Sequence, residues 1–103
     1  MVKLEKEEEA KVRRWCDNNG VLFIKFSPMG ARGWPDRVAV FPGGVHVWTE
    51  LKRKGRELAP LQEYRARVLT KQGCLVAWFD DADECIAFYE SILGDLNELS
   101  VDA

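Results

Sequence analysis

Asp36-Arg37-Val38-Ala39-Val40-Phe41-Pro42-Gly43-Gly44-Val45-His46-Val47-Trp48-Thr49-Glu50-Leu51-Lys52 reads as two strands joined by a tight turn. Alternate residues of a strand share a face, so Asp36, Val38 and Val40 point one way, and Glu50 points with Lys52. Two turns fit the joint. A three-residue turn, Pro42-Gly43-Gly44, pairs Phe41 with Val45 and sets Asp36 opposite Glu50, with side chains roughly 5 Å apart. A two-residue Gly43-Gly44 turn also suits a hairpin. It slips the pairing by one and throws Glu50 to the other face. Only the longer turn, or a bulge restoring its register, lets two carboxylates and one ammonium meet. Those groups are the minimum for holding a divalent cation and activating a water against a phosphodiester.

Outward from the hairpin, the chain alternates helical and extended patterns. Leu4 to Asn19 is predicted as a helix, with Glu5, Glu7, Glu8 and Glu9 at its favourable N-terminal end. Val12, Trp15 and Cys16 form its apolar stripe, and Asn18-Asn19-Gly20 stops it. Val21 to Phe26 is an apolar strand expected to be buried on both faces. Ser27 to Pro35 is a loop. Pro60 opens a second helix running to about Gln72, with Leu61, Tyr64, Val68 and Leu69 expected inward. Leu75 to Phe79 is another apolar strand. Asp81-Ala82-Asp83-Glu84 resembles a capping box and leads a helix from Ala82 to about Leu93, with Cys85, Ile86, Tyr89 and Ile92 inward. Residues 94–103 are expected to fray, or to carry that stripe through Leu96 and Leu99 into a partner. The order is αβββαβα, an α/β sandwich with a mixed sheet in one domain spanning 1–103.

Composition narrows the function classes. No apolar run approaches the roughly 18 residues of a membrane span, and the Lys/Glu-rich start is unlike a signal peptide. Three cysteines (Cys16, Cys74, Cys85) without CxxC spacing, and the single histidine His46, argue against disulfide, zinc or histidine-based chemistry. A reducing, cytoplasmic compartment is the natural expectation. The net charge of −2 conceals a polarity: residues 10–79 carry 13 Lys/Arg against 5 Asp/Glu, while the two ends hold 2 bases and 12 acids. The basic middle suits phosphate contact; an ordinary mixed surface with acidic ends is the alternative.

Gly33-Trp34-Pro35-Asp36, Glu50-Leu51-Lys52 and Ala59-Pro60-Leu61-Gln62 resemble the successive motifs of the VRR-NUC family, a branch of the PD-(D/E)XK nuclease superfamily. The similarity runs from about Glu7 to Tyr89 and matches the compact standalone form found in bacteriophages. The resemblance implies a restriction-endonuclease-like sandwich, a homodimer, and metal-dependent cutting of branched DNA such as four-way (Holliday) junctions. It implies that Asp36 and Glu50 bind Mg²⁺ or Mn²⁺, with the Leu51 carbonyl as a further ligand. The family's first-helix glutamate is best matched by Glu9, with Glu8 a near competitor. Lys52 would orient the attacking water and offset transition-state charge. Gln62 resembles the polar residue near the scissile phosphate; a plain helix-start role is the alternative.

Lys25, Arg53, Lys54 and Arg56 are candidate backbone contacts to DNA, which position an enzyme without reading bases. Trp34 is expected to pack its loop; Trp15, Trp48 and Trp78 are expected in the core, and His46 at the surface. A non-catalytic DNA-binding or scaffold module, or a nuclease for linear or single-stranded nucleic acid, would carry much of the same sequence.

Overall fold

A computed structural model describes the backbone of residues 2–102 and the side chains of residues 6–99. The elements run α1 (Val2–Asn18), β1 (Leu22–Lys25), β2 (Arg37–Val40), β3 (His46–Leu51), α2 (Pro60–Lys71), β4 (Leu75–Phe79) and α3 (Ala82–Asp102). The sheet order is β1-β2-β3-β4, with antiparallel pairs β1/β2 and β2/β3 and a parallel pair β3/β4. The parallel step needs a crossover, which α2 supplies. This is the αβββαβα mixed-sheet architecture expected from the sequence.

The hairpin adopts the three-residue turn. Phe41 N–H donates to the Val45 carbonyl at 2.7 Å, and Gly44 N–H returns to the Phe41 carbonyl at 3.0 Å. Gly43 and Gly44 sit at φ 88° and 89°, a region that side chains with a Cβ rarely occupy. The burial pattern explains the choice. With Val40 facing His46 and Arg37 facing Thr49, Val47, Thr49 and Leu51 turn to the same side as Ala39 and Phe41. A slip by one would have buried Glu50 and Lys52 instead.

That side is the main core. Val12 and Cys16 of α1, Phe23, Ala39, Phe41 and Val47 of the sheet region, and Ala82, Cys85 and Tyr89 of α3 close together there. Tyr89 stacks edge-on against Phe41, at 5.4 Å between centroids, and its hydroxyl hydrogen-bonds the fully buried Thr49 hydroxyl. Burial pushes the Cys16 and Cys85 thiols up to about 12, so both pack as small neutral groups. At the start of α3, Asp81 accepts a bond from Asp83 N–H at 2.8 Å as a cap. Glu8 reaches across from α1 to Ala82 N–H at 2.9 Å.

The opposite face is only partly covered, because α2 lies over β4. Several expectations change for that reason. β1 is an edge strand rather than one buried on both sides: Leu22 is 61% and Ile24 48% exposed. On α2 the buried residue is Leu69, whereas Leu61 and Tyr64 are exposed, and Leu61 meets Gly33 in the loop before β2. Trp78 is not a core residue; it faces α2 and is 41% exposed. Trp15 and Trp48 are half-buried. α3 runs on to Asp102 rather than ending near Leu93, with Leu96 packed on the core and Leu99 exposed.

Tyr89→Phe should cost about 1–2 kcal/mol, because it leaves the buried Thr49 hydroxyl with only a long, 3.4 Å bond to the Val47 carbonyl. Urea unfolding is the measurement. Adding Thr49→Val should recover part of the loss, since both polar partners are then gone. Equal stability of wild type and Tyr89→Phe would contradict a working Thr49–Tyr89 bond.

Candidate active site

Asp36 is delivered by a loop clamped onto α2. Gly33 has φ 86°, and a Cβ there would lie 2.6 Å from Leu61 Cγ and 3.1 Å from the Leu61 carbonyl oxygen. Only glycine permits that approach. Arg65 of α2 stacks its guanidinium over Trp34 at 4.5 Å and donates from Nε to the Arg32 carbonyl at 3.1 Å. Trp34 therefore packs its loop. From the other side, Phe26 N–H donates to the Asp36 carbonyl at 2.8 Å, which extends the β1/β2 pairing to the aspartate itself.

The β2/β3 register, carried one residue past Arg37 and Thr49, sets Asp36 opposite Glu50 on the α2 face. The Asp36 backbone N–H donates to the Glu50 carboxylate. Even so, the Glu50 carboxyl is pushed up to about 7, first by burial and next by the like charge of Asp36; Lys52 and Arg37 pull the other way. Two half-buried carboxylates set side by side, one of them pushed toward its neutral form, are hard oxygen donors whose repulsion a bound cation would relieve. The set fits a divalent ion such as Mg²⁺ or Mn²⁺. Lys52 follows β3, held by its N–H to the Phe79 carbonyl at 2.8 Å. Leu51 turns its side chain to the core, so only its main chain is available to the site.

Beside Glu50 lies a cavity of about 110 Å³ lined by Gly33, Pro35, Leu58, Gln62, Ala66 and Trp78 among others. Its apolar walls account for the desolvation of Glu50. Gln62 borders this cavity, and its side-chain oxygen accepts a bond from Ala59 N–H at 2.8 Å. It therefore serves the helix start while facing the site.

The two first-helix glutamates have different partners. Glu8 is committed to the start of α3. Glu9 pairs with Arg13 at 3.6 Å and with Arg37. Arg37 in turn donates to the Asp36 carbonyl at 2.9 Å and lies 3.5 Å from its carboxylate. Glu9 thus reaches Asp36 through a guanidinium rather than directly. Among the described residues, no three His, Cys, Asp or Glu side chains converge as a metal-holding group.

The basic candidates divide. Lys52, Arg53 and Arg56 border one open depression of about 250 Å³ with Glu57 and Ala59. Lys54 lies 3.5 Å from Asp81, and Gly55 N–H donates to Asp80 at 3.0 Å, so the acidic turn after β4 holds this connector. Lys25 pairs opposite Arg37, at the same end of the sheet as Asp36 but on the α1 face. Arg37, Arg65 and Trp78 were missed as site neighbours. Alternation placed Arg37 on the face of Ala39 and Phe41, a signal that was there to be used.

Glu50→Gln should reveal the strain in the carboxylate pair. A folded-state value near 7 against an ordinary 4.5 means wild-type stability is fully kept below about pH 4.5 and falls as pH rises through about 7. Without metal, Glu50→Gln should match wild type in acid and exceed it by about 1–3 kcal/mol near pH 8. Denaturant melts across that range decide it; a pH-independent difference would remove the strain. Gly33→Ala should cost about 2 kcal/mol or more and exceed the cost of Gly30→Ala, whose φ is 75° but whose Cβ would meet nothing within 4 Å. Equal costs in thermal melts would mean that the α2 contact does not matter.

No protein-family model matches the chain, and no curated protein matches it. Among solved structures, one described as "VRR_NUC domain" superposes with a TM-score of 0.77 at 23% identity, covering 84% of this chain and 94% of that one. The chain shares the α/β fold of that VRR_NUC domain, with three helices around a four-stranded mixed sheet.

Proposed function

We propose that the protein is a metal-dependent DNA endonuclease that hydrolyses phosphodiester bonds in branched DNA, including four-way junctions. One observation carries this reading: Asp36 and Glu50 oppose each other on one face, beside Lys52, in a VRR_NUC-like fold. Two adjacent carboxylates would be poorly placed in a domain that only binds DNA, because they repel phosphates.

Asp36, Glu50 and the Leu51 carbonyl are the proposed ligands for Mg²⁺ or Mn²⁺, with Glu9 acting through water or at a second ion. When bound, the ion supplies charge at the phosphate oxygens and lowers the pKa of a water. Lys52, held at the end of β3, donates toward the reacting phosphate and offsets its growing negative charge. Gln62, at the α2 start, orients the phosphate from the cavity side. Arg53 and Arg56 hold the backbone beside the site, with Lys54 and Lys25 as outer contacts. Such contacts suit recognition of DNA shape.

A homodimer would place two such sites for paired cuts across a junction. Leu99, 67% exposed near the end of α3, supports the last helix as its surface. Among the described residues no helix is long and apolar enough to cross a membrane, and action in the cytoplasm, of a host if phage-encoded, completes the proposal.

The test is cleavage of labelled four-way, flap and linear duplex DNA with Mg²⁺ or Mn²⁺. Asp36→Ala, Glu50→Ala and Lys52→Ala should each lower the rate by about a hundredfold or more, and chelation should abolish cutting. Activity that survives all three changes removes the site. Linear duplex cut as fast as junctions removes the branched-DNA preference alone. Tight DNA binding without cutting under either metal would instead support a scaffold, and sedimentation tests the dimer.

A further inference from the structure

Arg37 is the one charged residue on the core side of β2, and its side chain is only 10% exposed. Its guanidinium meets Glu9 of α1, the Asp36 carbonyl at 2.9 Å and the Asp36 carboxylate at 3.5 Å. It lies 6.0 Å from the Phe23 ring centre, over which Arg13 also sits at 5.4 Å. Its Nε is buried without a hydrogen-bond partner. A buried guanidinium with one donor unspent is costly to keep, so its charge needs a reason. Neutralising Glu9 alone would not require contact with Asp36, because Arg13 already lies 3.6 Å from Glu9.

Charge balance supplies the reason. The acids facing this corner are Glu9 from α1, Asp36 before β2 and Glu50 from β3. The bases coupled to these acids are Arg13 from α1, Arg37 from β2 and Lys52 after β3; Lys25 of β1, paired opposite Arg37, is exposed to solvent. Formally, three negative charges meet three positive ones. We propose that Arg37 is a positioning residue that ties Glu9 to Asp36 and acts as the site's internal counter-ion, holding divalent-metal affinity low until a DNA phosphate adds its own charge. Metal alone then binds weakly, and metal with DNA binds well. The inference rests on the nuclease reading and adds to it a coupling between ion and substrate.

Binding of Mn²⁺ without DNA, followed by electron paramagnetic resonance of the free ion, tests the charge role. Arg37→Gln should bind Mn²⁺ about tenfold more tightly than wild type, the scale of removing one like charge a few ångström away at near-surface dielectric, and the gain should shrink with added salt. Arg37→Lys keeps the charge and should bind Mn²⁺ within about twofold of wild type. It should still cut DNA at least about tenfold more slowly, because an ammonium lacks the planar fork that reaches both acids. Should Arg37→Gln fail to fold, Arg37→Met, likewise uncharged and of similar length, takes its place and should also bind Mn²⁺ about tenfold more tightly than wild type.

A purely structural arginine would lower stability and weaken Mn²⁺ binding in all three variants, which overturns the proposal. So does Arg37→Gln binding no tighter than wild type while wild type binds the ion and cuts DNA; that result leaves the nuclease reading intact. Wild type that neither binds Mn²⁺ nor cuts DNA overturns both.

Discussion

Two carboxylates held face to face in a half-buried site repel each other, and the surrounding structure has to sustain that repulsion. Asp36 and Glu50 are brought together by backbone pairing, not by any attraction between their side chains. The cost appears in Glu50, whose carboxyl is pushed up to about 7. Nearby groups act to contain it. The Asp36 amide and Lys52 favour the ionised Glu50, Arg37 draws on Asp36 and Glu9, and the Leu61–Gly33 contact stops the Asp36 loop from relaxing away.

The sheet's unequal covering is part of the same arrangement. One face is sealed by α1 and α3 around a dry core of Val12, Ala39, Val47 and Tyr89. The other is crossed by α2 near β4, which leaves the site beside a small cavity and a basic depression. The rigid side fixes the strands and the open side gives a substrate room to approach. Polar groups pair wherever elements change: Glu8 at the start of α3, Gln62 at the start of α2, Asp80 at the basic connector.

Much of this was legible in the chain because strands alternate with a period of two and helices announce their ends. Pro60, Asp81 and Gly20 marked boundaries that the structure keeps within a residue or two. The same alternation could have decided the turn, since the face bearing Val47, Thr49 and Leu51 is far cheaper to bury than that of His46, Trp48 and Glu50. It could also have placed Arg37 inward. What one-dimensional pattern could not carry was how helices roll against the sheet. The roles of Glu8 and Glu9 differ by one 100° step around α1, and only packing against α3 and β2 separates them. The apolar run of β1 suggested double burial, but which helix covers which strand is a tertiary fact: Leu22 is 61% exposed, and Trp78 stays 41% exposed although it faces α2.

The glycine turn between β2 and β3 has an evolutionary corollary. Hairpin tips are ordinarily where a chain absorbs insertions and deletions most easily. Here a change of turn length is harmless so long as Phe41 still pairs with Val45, whereas a slip of the strands by one residue turns one acid away from the other even where the fold is retained. Length variation among active descendants should therefore be confined to the turn at 42–44, and an insertion or deletion within the paired strands would mark a lineage that has given up its chemistry.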